Sequence, residues 1–363
     1  MAKRVHVDKT LFAVTLLLLF IGLIMVFSAS AVMAKERFDS PYTFVIRQLM
    51  WAVAGMIAMV IAMKVDYNRY KQPAVVFSLL SITTLMLVAV FFLDRSHNTH
   101  RWIKFGGFSF QPSEVAKPAL ILFLAWFLHT RLKAIDDWRH TLLPVAGVTG
   151  LIAGLIVLQP DLGTAIVCVA VAASILFIAG MRMRYFGIAL ANACVPLYFL
   201  LFHVAWRRER ILAFLNPYSD PQGRGFHIIQ SLIAVGTGGL TGAGLMEGKQ
   251  KLFYLPEPHT DFIFAVTAEE FGLAGSLLIV TLFALFLYRG LRTAIRAKDP
   301  FARLLAIGIT SVVVLQALMN ISVVLGMMPT KGIPLPLISS GGSSLLVTLA
   351  SIGVLLNITR QTE

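Results

Sequence analysis

Leu255-Pro-Glu-Pro-His-Thr-Asp-Phe-Ile-Phe264 leads into an apolar run that continues to Tyr288, and the junction between the two decides how the whole chain is read. The run at 262–288 exceeds the ~20 apolar residues that cross a bilayer, so it is predicted to be a membrane helix. Ahead of its first turn stand two acids, Glu257 and Asp261, and one imidazole, His259. A carboxylate at the edge of hydrocarbon costs roughly 2.5 to 3.5 kcal/mol at a helix centre and less near the interface. A purely structural helix has little use for one there, so the stretch reads as a functional site at a membrane surface.

Composition agrees with that class. Hydrophobic residues make up 58% of the chain and charged residues 13%, with a mean hydropathy of +0.80. That is far more apolar surface than one soluble core can hide. The 363 residues would make two soluble domains by length, but serial spans pack as one bundle, so one domain over residues 1–363 is expected. The net charge of +13 would suit nucleic acid, yet the basic residues are scattered through short loops without aromatic interleaving. They read as topology signals and headgroup contacts. Cys168 and Cys194 both lie inside apolar runs, which argues against a disulfide framework or a metal site built on cysteine.

Working outward, apolar runs fall at 11–32, 44–63, 74–93, 112–128, 142–158, 162–180, 186–204, 262–288, 301–326 and 343–358, which predicts an all-α polytopic membrane protein of ten helices. The first run is about twice the usual length of a signal-peptide core, so it is read as an uncleaved span. With the N-terminus inside, the inner segments collect Lys3, Arg4, Lys9, Lys64, Arg69, Lys71, Arg131, Lys133 and most of the later arginines. The short outer loops hold only Lys35, Arg37, Arg95, Arg101, Lys104 and Lys331. This bias places both termini in the cytoplasm and leaves 205–261, between helices 7 and 8, as a large extracytoplasmic loop.

The unusual chemistry gathers in the outer connections. Arg101-Trp-Ile-Lys104 precedes Gln111-Pro-Ser-Glu114, with Lys117 one helical turn beyond Glu114. Those two either neutralise each other as a local ion pair or serve a site, since a lysine near a helix N-terminus opposes the dipole. Asp161, in Gln159-Pro-Asp-Leu-Gly163, either caps the helix that follows or works in the same site. The large loop supplies Arg207, Arg208 and Arg210, then an apolar segment at 226–235 too short to span, expected as an interfacial or re-entrant helix. Gly236-Thr-Gly-Gly-Leu-Thr-Gly-Ala-Gly244 either lets backbone approach a phosphate or lets helices pack closely. It is not a dinucleotide fingerprint, because Thr241 occupies the third glycine position and no strand precedes it. Finally, Pro329, Pro334 and Pro336 break helix repeatedly before Ser339, Ser340 and Gly341-Gly-Ser-Ser344. Irregular backbone at that depth is tolerated where it lines a cavity, here one opening outward.

Taken together, Leu255–Phe264, Gln111-Pro-Ser-Glu114, Gln159-Pro-Asp-Leu-Gly163, Pro334-Leu-Pro-Leu-Ile-Ser339 and Gly341-Gly-Ser-Ser344 resemble the SEDS family of cell-wall polymerases, over nearly the whole chain. Pro329-Thr-Lys-Gly332 is similar to the division-type and sporulation-type branch rather than the elongation-type branch. Ser340 departs from the aromatic residue common before the two glycines. The resemblance implies a peptidoglycan glycosyltransferase that polymerises lipid II at the outer face of the bacterial cytoplasmic membrane, at the division septum. It implies a class B penicillin-binding transpeptidase and other division membrane proteins as partners. It also implies a divalent cation, Mg²⁺ or Mn²⁺.

The implied reaction joins a GlcNAc 4-hydroxyl to the anomeric carbon of a MurNAc held on lipid pyrophosphate. An alcohol is a weak nucleophile, and a positioned base is worth roughly 100- to 10,000-fold. Asp261 matches the family's catalytic aspartate and is expected to be that base; the rival reading is a helix cap. The leaving pyrophosphate calls for cations, with Arg101, Lys117, Arg210 and Lys331 as candidates. Lys117 is favoured by the motif. Glu114 is expected to orient Lys117 or, with Asp161, to ligate metal; His259 is expected to support the loop and Ser343 to contact substrate. Two other functions compete: a transporter that flips lipid II, with Glu114, Lys117 and Asp161 lining a polar path, and a non-catalytic scaffold for the transpeptidase.

Overall fold

The computed structural model describes residues 7–94, 100–105, 108–252 and 254–362; Lys3, Arg4 and Arg95 lie outside the described residues. Every one of the ten apolar runs is helical. In chain order the helices are α1 (Lys9–Phe38), α2 (Thr43–Lys64), α3 (Tyr67–Tyr70), α4 (Pro73–Leu93), α5 (Pro112–His129), α6 (Leu143–Leu158), α7 (Leu162–Ile178), α8 (Met183–Phe202), α9 (Ala205–Leu215), α10 (Phe226–Gly238), α11 (Ile263–Arg296), α12 (Pro300–Val324) and α13 (Gly342–Thr362). Eight described helices are long and apolar enough to cross a membrane. The eight count α6 together with the turn that leads into it, as Trp138–Leu158, and exclude α5, which carries Glu114 and Lys117 in its first two turns, and α7, which is 17 residues long.

The bundle is organised around α12, the most deeply enclosed of the long helices, which packs on α5, α7, α11 and α13. A helix apolar on all sides belongs in such a place. α13 lies along α2, and α10 along α11. One end of the bundle is tied by polar contacts. Asp8 caps α1 by accepting from Leu11 N at 2.9 Å, pairs with Arg289 near the end of α11 at 2.5 Å, and takes its own backbone bond from N to Thr359 Oγ1 of α13. At the opposite end lie the hairpin of β1 (Ile103–Phe105) and β2 (Phe108–Phe110), the Gln159–Asp161 turn, α9, α10 and the proline-rich segment before α13.

Two features depart from a simple row of helices. The expected outer loop 205–261 contains α9 and α10, and the apolar segment at 226–235 is indeed a helix, resting on α11. α11 itself is broken at Gly272, whose φ of 61° and ψ of −155° belong to glycine. A Cβ there would meet Gly242 N at 2.5 Å. The glycine run fills the break: Ala243 N and Gly244 N donate to Glu269 O and Glu270 O, while Leu273 N and Ala274 N donate to Gly239 O and Leu240 O, at 2.9 to 3.2 Å. Of the two readings left open for the glycines, close backbone packing is the one the fold uses.

The same break draws three polar side chains inward. Glu270 accepts from Lys251 Nζ at 2.5 Å and from Ser28 Oγ at 2.6 Å, and Lys251 also reaches Ser28 at 2.9 Å. All three are buried, so the loop after α10, the helix α1 and the upper half of α11 are joined by charge as well as by packing. Glu269 beside it accepts from Lys249 N and Gln250 N and holds the start of that loop.

Candidate functional site

Asp261 stands two residues before α11, its carboxyl on the wall shared by two adjoining cavities. The first, about 410 Å³, is polar and charged and includes Glu209, Arg224, His227 and Glu257. The second, about 650 Å³, runs between α7, α8 and α9, with Leu162, Ile166, Leu197, Leu201 and Ile211 against Arg101, Arg207 and Asp161. Trp206, Arg210, Asp261, Thr330, Lys331 and Gly332 line both. The second cavity exists because α8 stands off the bundle: none of its residues is buried, and Leu197 and Leu201 face the gap.

Local sequence places each of these groups. Pro256 and Pro258 interrupt helix formation before α11, so the residues between them are held as turns. Glu257 adopts φ 47° there. Gly332 approaches the carboxylate so closely that a Cβ would lie 3.0 Å from Asp261 Oδ2. Arg210 projects from α9, donates to Thr330 O at 3.4 Å and lies over the Trp206 ring at 5.2 Å. Arg101 donates to Gln159 O at 3.0 Å and to Pro160 O, which holds the hairpin end against the turn before α7.

The electrostatics favour proton transfer at Asp261. Burial first, and then the Glu257 carboxylate, push its carboxyl up to about 7 from 3.8; Arg210 and Arg101 pull the other way, and Asp161 adds to the rise. A group of that kind is half ionised near neutral pH and can both take and release a proton. Burial lowers the Lys331 ammonium below its usual range, and keeps the His259 imidazole neutral against the pull of Glu257.

The expected site residues divide into three sets. Asp261, Arg101, Asp161, Arg210 and Lys331 come together on the cavity walls. Asp161 does both things its sequence allowed: Oδ1 caps α7 by accepting from Thr164 N at 3.1 Å, Oδ2 accepts from Thr164 Oγ1 and Gln111 Nε2, and the residue still borders the second cavity. Glu114 and Lys117 do not reach either cavity wall. They form a buried ion pair of 2.8 Å within α5, one of the two readings their spacing allowed. His259 and Ser343 are buried supports: the imidazole lies 4.6 Å from the Phe44 ring, and Ser343 Oγ accepts from Gln111 N at 3.2 Å.

Trp206 and Arg207 were legible only as part of a basic loop, yet they flank the second cavity, where Arg207 Nε is buried with no partner. Gln48 and Asn320 also escaped notice. Their signal was available, since an amide buried within an apolar helix is costly unless it is bonded. Among the described residues no three histidine, cysteine, aspartate or glutamate side chains come together to hold a metal by themselves. Glu114 is committed to Lys117 and Asp161 to Thr164 and Gln111, so this pair of carboxylates does not fit a protein-held divalent ion.

Comparison with known proteins extends this geometry. The family described as FtsW/RodA/SpoVE, cell cycle protein, matches residues 8–363. A protein named probable peptidoglycan glycosyltransferase FtsW, from Geobacter metallireducens, is 43% identical over 97% of this chain and 94% of its own length. Stage V sporulation protein E of Bacillus subtilis is 44% identical over 99% of this chain and 98% of its own. Among solved structures, one described under "Structural coordination of polymerization and crosslinking by a peptidoglycan synthase complex" superimposes with a TM-score of 0.81 at 30% identity, covering 98% of both chains.

Proposed function

The chain belongs to the FtsW/RodA/SpoVE (SEDS) family, and on that premise we infer that it is a division-type peptidoglycan glycosyltransferase whose reaction takes place where the two cavities meet at Asp261. It is a multi-pass membrane protein. The observation that carries the reading is a single carboxyl, raised to about 7, set between an apolar cavity rimmed with cations and a polar one. That pair of surroundings suits two substrates of different character.

The donor is lipid II. Its polyprenyl chain lies in the gap beside Leu197, Leu201 and Ile211, and its pyrophosphate lies against Arg101, Arg207, Arg210 and Lys331. The acceptor saccharide occupies the polar cavity, bordered by Glu209, Arg224 and Glu257. Asp261 takes the proton of the acceptor 4-hydroxyl as the new bond to the anomeric carbon forms and the bond to pyrophosphate breaks. The cations meet the charge that develops on the leaving oxygen. No step is assigned to a divalent ion, because the carboxylates expected to hold one are committed elsewhere.

The site lies at the outer face of the cytoplasmic membrane, with both termini inside, as the distribution of loop arginines and lysines supports. The partner is a class B penicillin-binding transpeptidase; the resemblance to a synthase complex that couples polymerization and crosslinking supports it. The likeness to division-type relatives supports other division proteins as partners and the septum as the place of action.

The reading is tested by supplying lipid II to the purified chain in bilayers with its transpeptidase. Glycan strands of many disaccharides are the expected product. Transbilayer movement of lipid II without strands would replace polymerisation with transport.

A further inference from the structure

The three consecutive carbonyls that lead into the reacting side chain are each held from elsewhere. His259 O accepts from Ser340 N at 2.9 Å, Thr260 O from Ser339 Oγ at 2.6 Å, and Asp261 O from Asn320 Nδ2 at 2.8 Å. None of these donors belongs to the loop before α11. The second proton of the same Asn320 amide goes to Ile333 O at 2.8 Å, next to Gly332, which touches the Asp261 carboxylate, and Lys331. One amide thus fixes the separation between the acid and the segment that carries a cation of the site.

A second layer stands behind the first. Gln48 of α2 is buried and grips the serine segment from the far side, donating from Nε2 to Ser339 O at 3.1 Å and accepting from Gly341 N at 3.4 Å. Ser339 Oγ also accepts from Leu335 N at 2.8 Å. The two segments clamped in this way each hold a non-glycine residue in the left-handed region, Glu257 at φ 47° and Leu337 at φ 67°. Such backbone persists only where its surroundings over-determine it.

The energetics of Asn320 argue against a packing role. It is buried in the apolar helix α12, and its Oδ1 has no partner. Reversing the amide would set that oxygen against two carbonyl oxygens, so the orientation is fixed and the unpaired acceptor remains as a cost. A leucine would remove that cost but would strip Asp261 O and Ile333 O of their donor, so what the amide contributes is the tie between those two carbonyls.

We propose that Asn320, Ser339 and Gln48 are positioning residues that lock the backbone of 259–261 and so set Asp261 against the junction of the two cavities. The proposal rests on the polymerase reading of that site, and two independent measurements separate them. In the first, hydrogen exchange of the full chain with its transpeptidase in bilayers is followed over 257–264, with no substrate present. Asn320→Leu is expected to accelerate exchange there by about tenfold relative to the native chain. In the second, strand formation from lipid II gives kcat and KM. A displacement of about 1 Å at a reacting group costs on the order of 100-fold, so kcat is expected to fall by about that factor with KM within about twofold. A packing defect would instead lower the amount of folded enzyme and leave kcat per folded molecule unchanged.

Unaltered exchange in a folded Asn320→Leu chain overturns the clamp. Faster exchange with native kcat overturns its role in positioning. Should Asn320→Leu fail to fold, Ser339→Ala, which removes one hydroxyl from the same clamp, decides by the same two criteria. A native chain that makes no strands defeats the polymerase reading, and the clamp then stands or falls on exchange alone.

Discussion

Asp261→Asn is expected to abolish strand synthesis and, above pH 7, to melt at a higher temperature than the native chain. The first effect follows from chemistry: asparagine keeps the shape of the carboxyl but cannot accept the acceptor hydroxyl's proton, a loss of roughly 100- to 10,000-fold. The second follows from linkage. A carboxyl at 3.8 in the unfolded chain and about 7 in the folded one binds its proton more tightly when folded. Stability therefore falls as pH rises from the first value to the second, and the full deficit is present above about 7. The neutral amide carries no such deficit. Melting at pH 8 and strand formation on the same preparation check both effects. A variant that keeps activity within about tenfold would take Asp261 out of the proton transfer; the helix-cap reading is already excluded, since α11 starts from Phe262 without a side-chain cap.

The largest loss of stability is expected for Lys251→Met. Lys251 and Glu270 are both buried and share the Ser28 hydroxyl, at the point where the glycine run crosses the broken helix α11. Removing the ammonium leaves an uncompensated carboxylate inside the bundle, which costs about 3 to 5 kcal/mol. Replacing both partners is far milder, because a buried ion pair gains little over neutral groups of similar volume. Lys251→Met with Glu270→Gln is therefore expected to recover most of the loss. Thermal unfolding of the single and double variants measures it. A double variant as unstable as the single one would mean that the ion pair is not the source of the effect.

The class of fold was legible because each helix of the bundle repeats one signal, a long apolar run. The break in α11 was not: Glu269 and Glu270 just before Gly272 are a signal inside the apolar run, but the φ of Gly272 is imposed by the glycine run some thirty residues earlier. Asp261, Arg210 and Lys331 could be picked out because charge is costly beside hydrocarbon. The same rule picks out Lys117, but it detects a buried charge without telling a catalytic partner from an internal one. Glu114, three residues away, is its ion-pair partner at 2.8 Å. Gln48 and Asn320 were missed for the opposite reason: uncharged amides raise no alarm in a hydropathy reading, although their bonds reach partners 291 and 59 residues away.

Ionisation of Asp261 is the pivot of the chemistry, and the most direct measurement is the rate of strand formation by the native chain, with its transpeptidase in bilayers, as a function of pH. The base must be deprotonated to act. The expected rate is half-maximal near pH 7, level above it, and falls about tenfold per pH unit below it. A rate indifferent to pH across that range would take Asp261 out of the proton transfer.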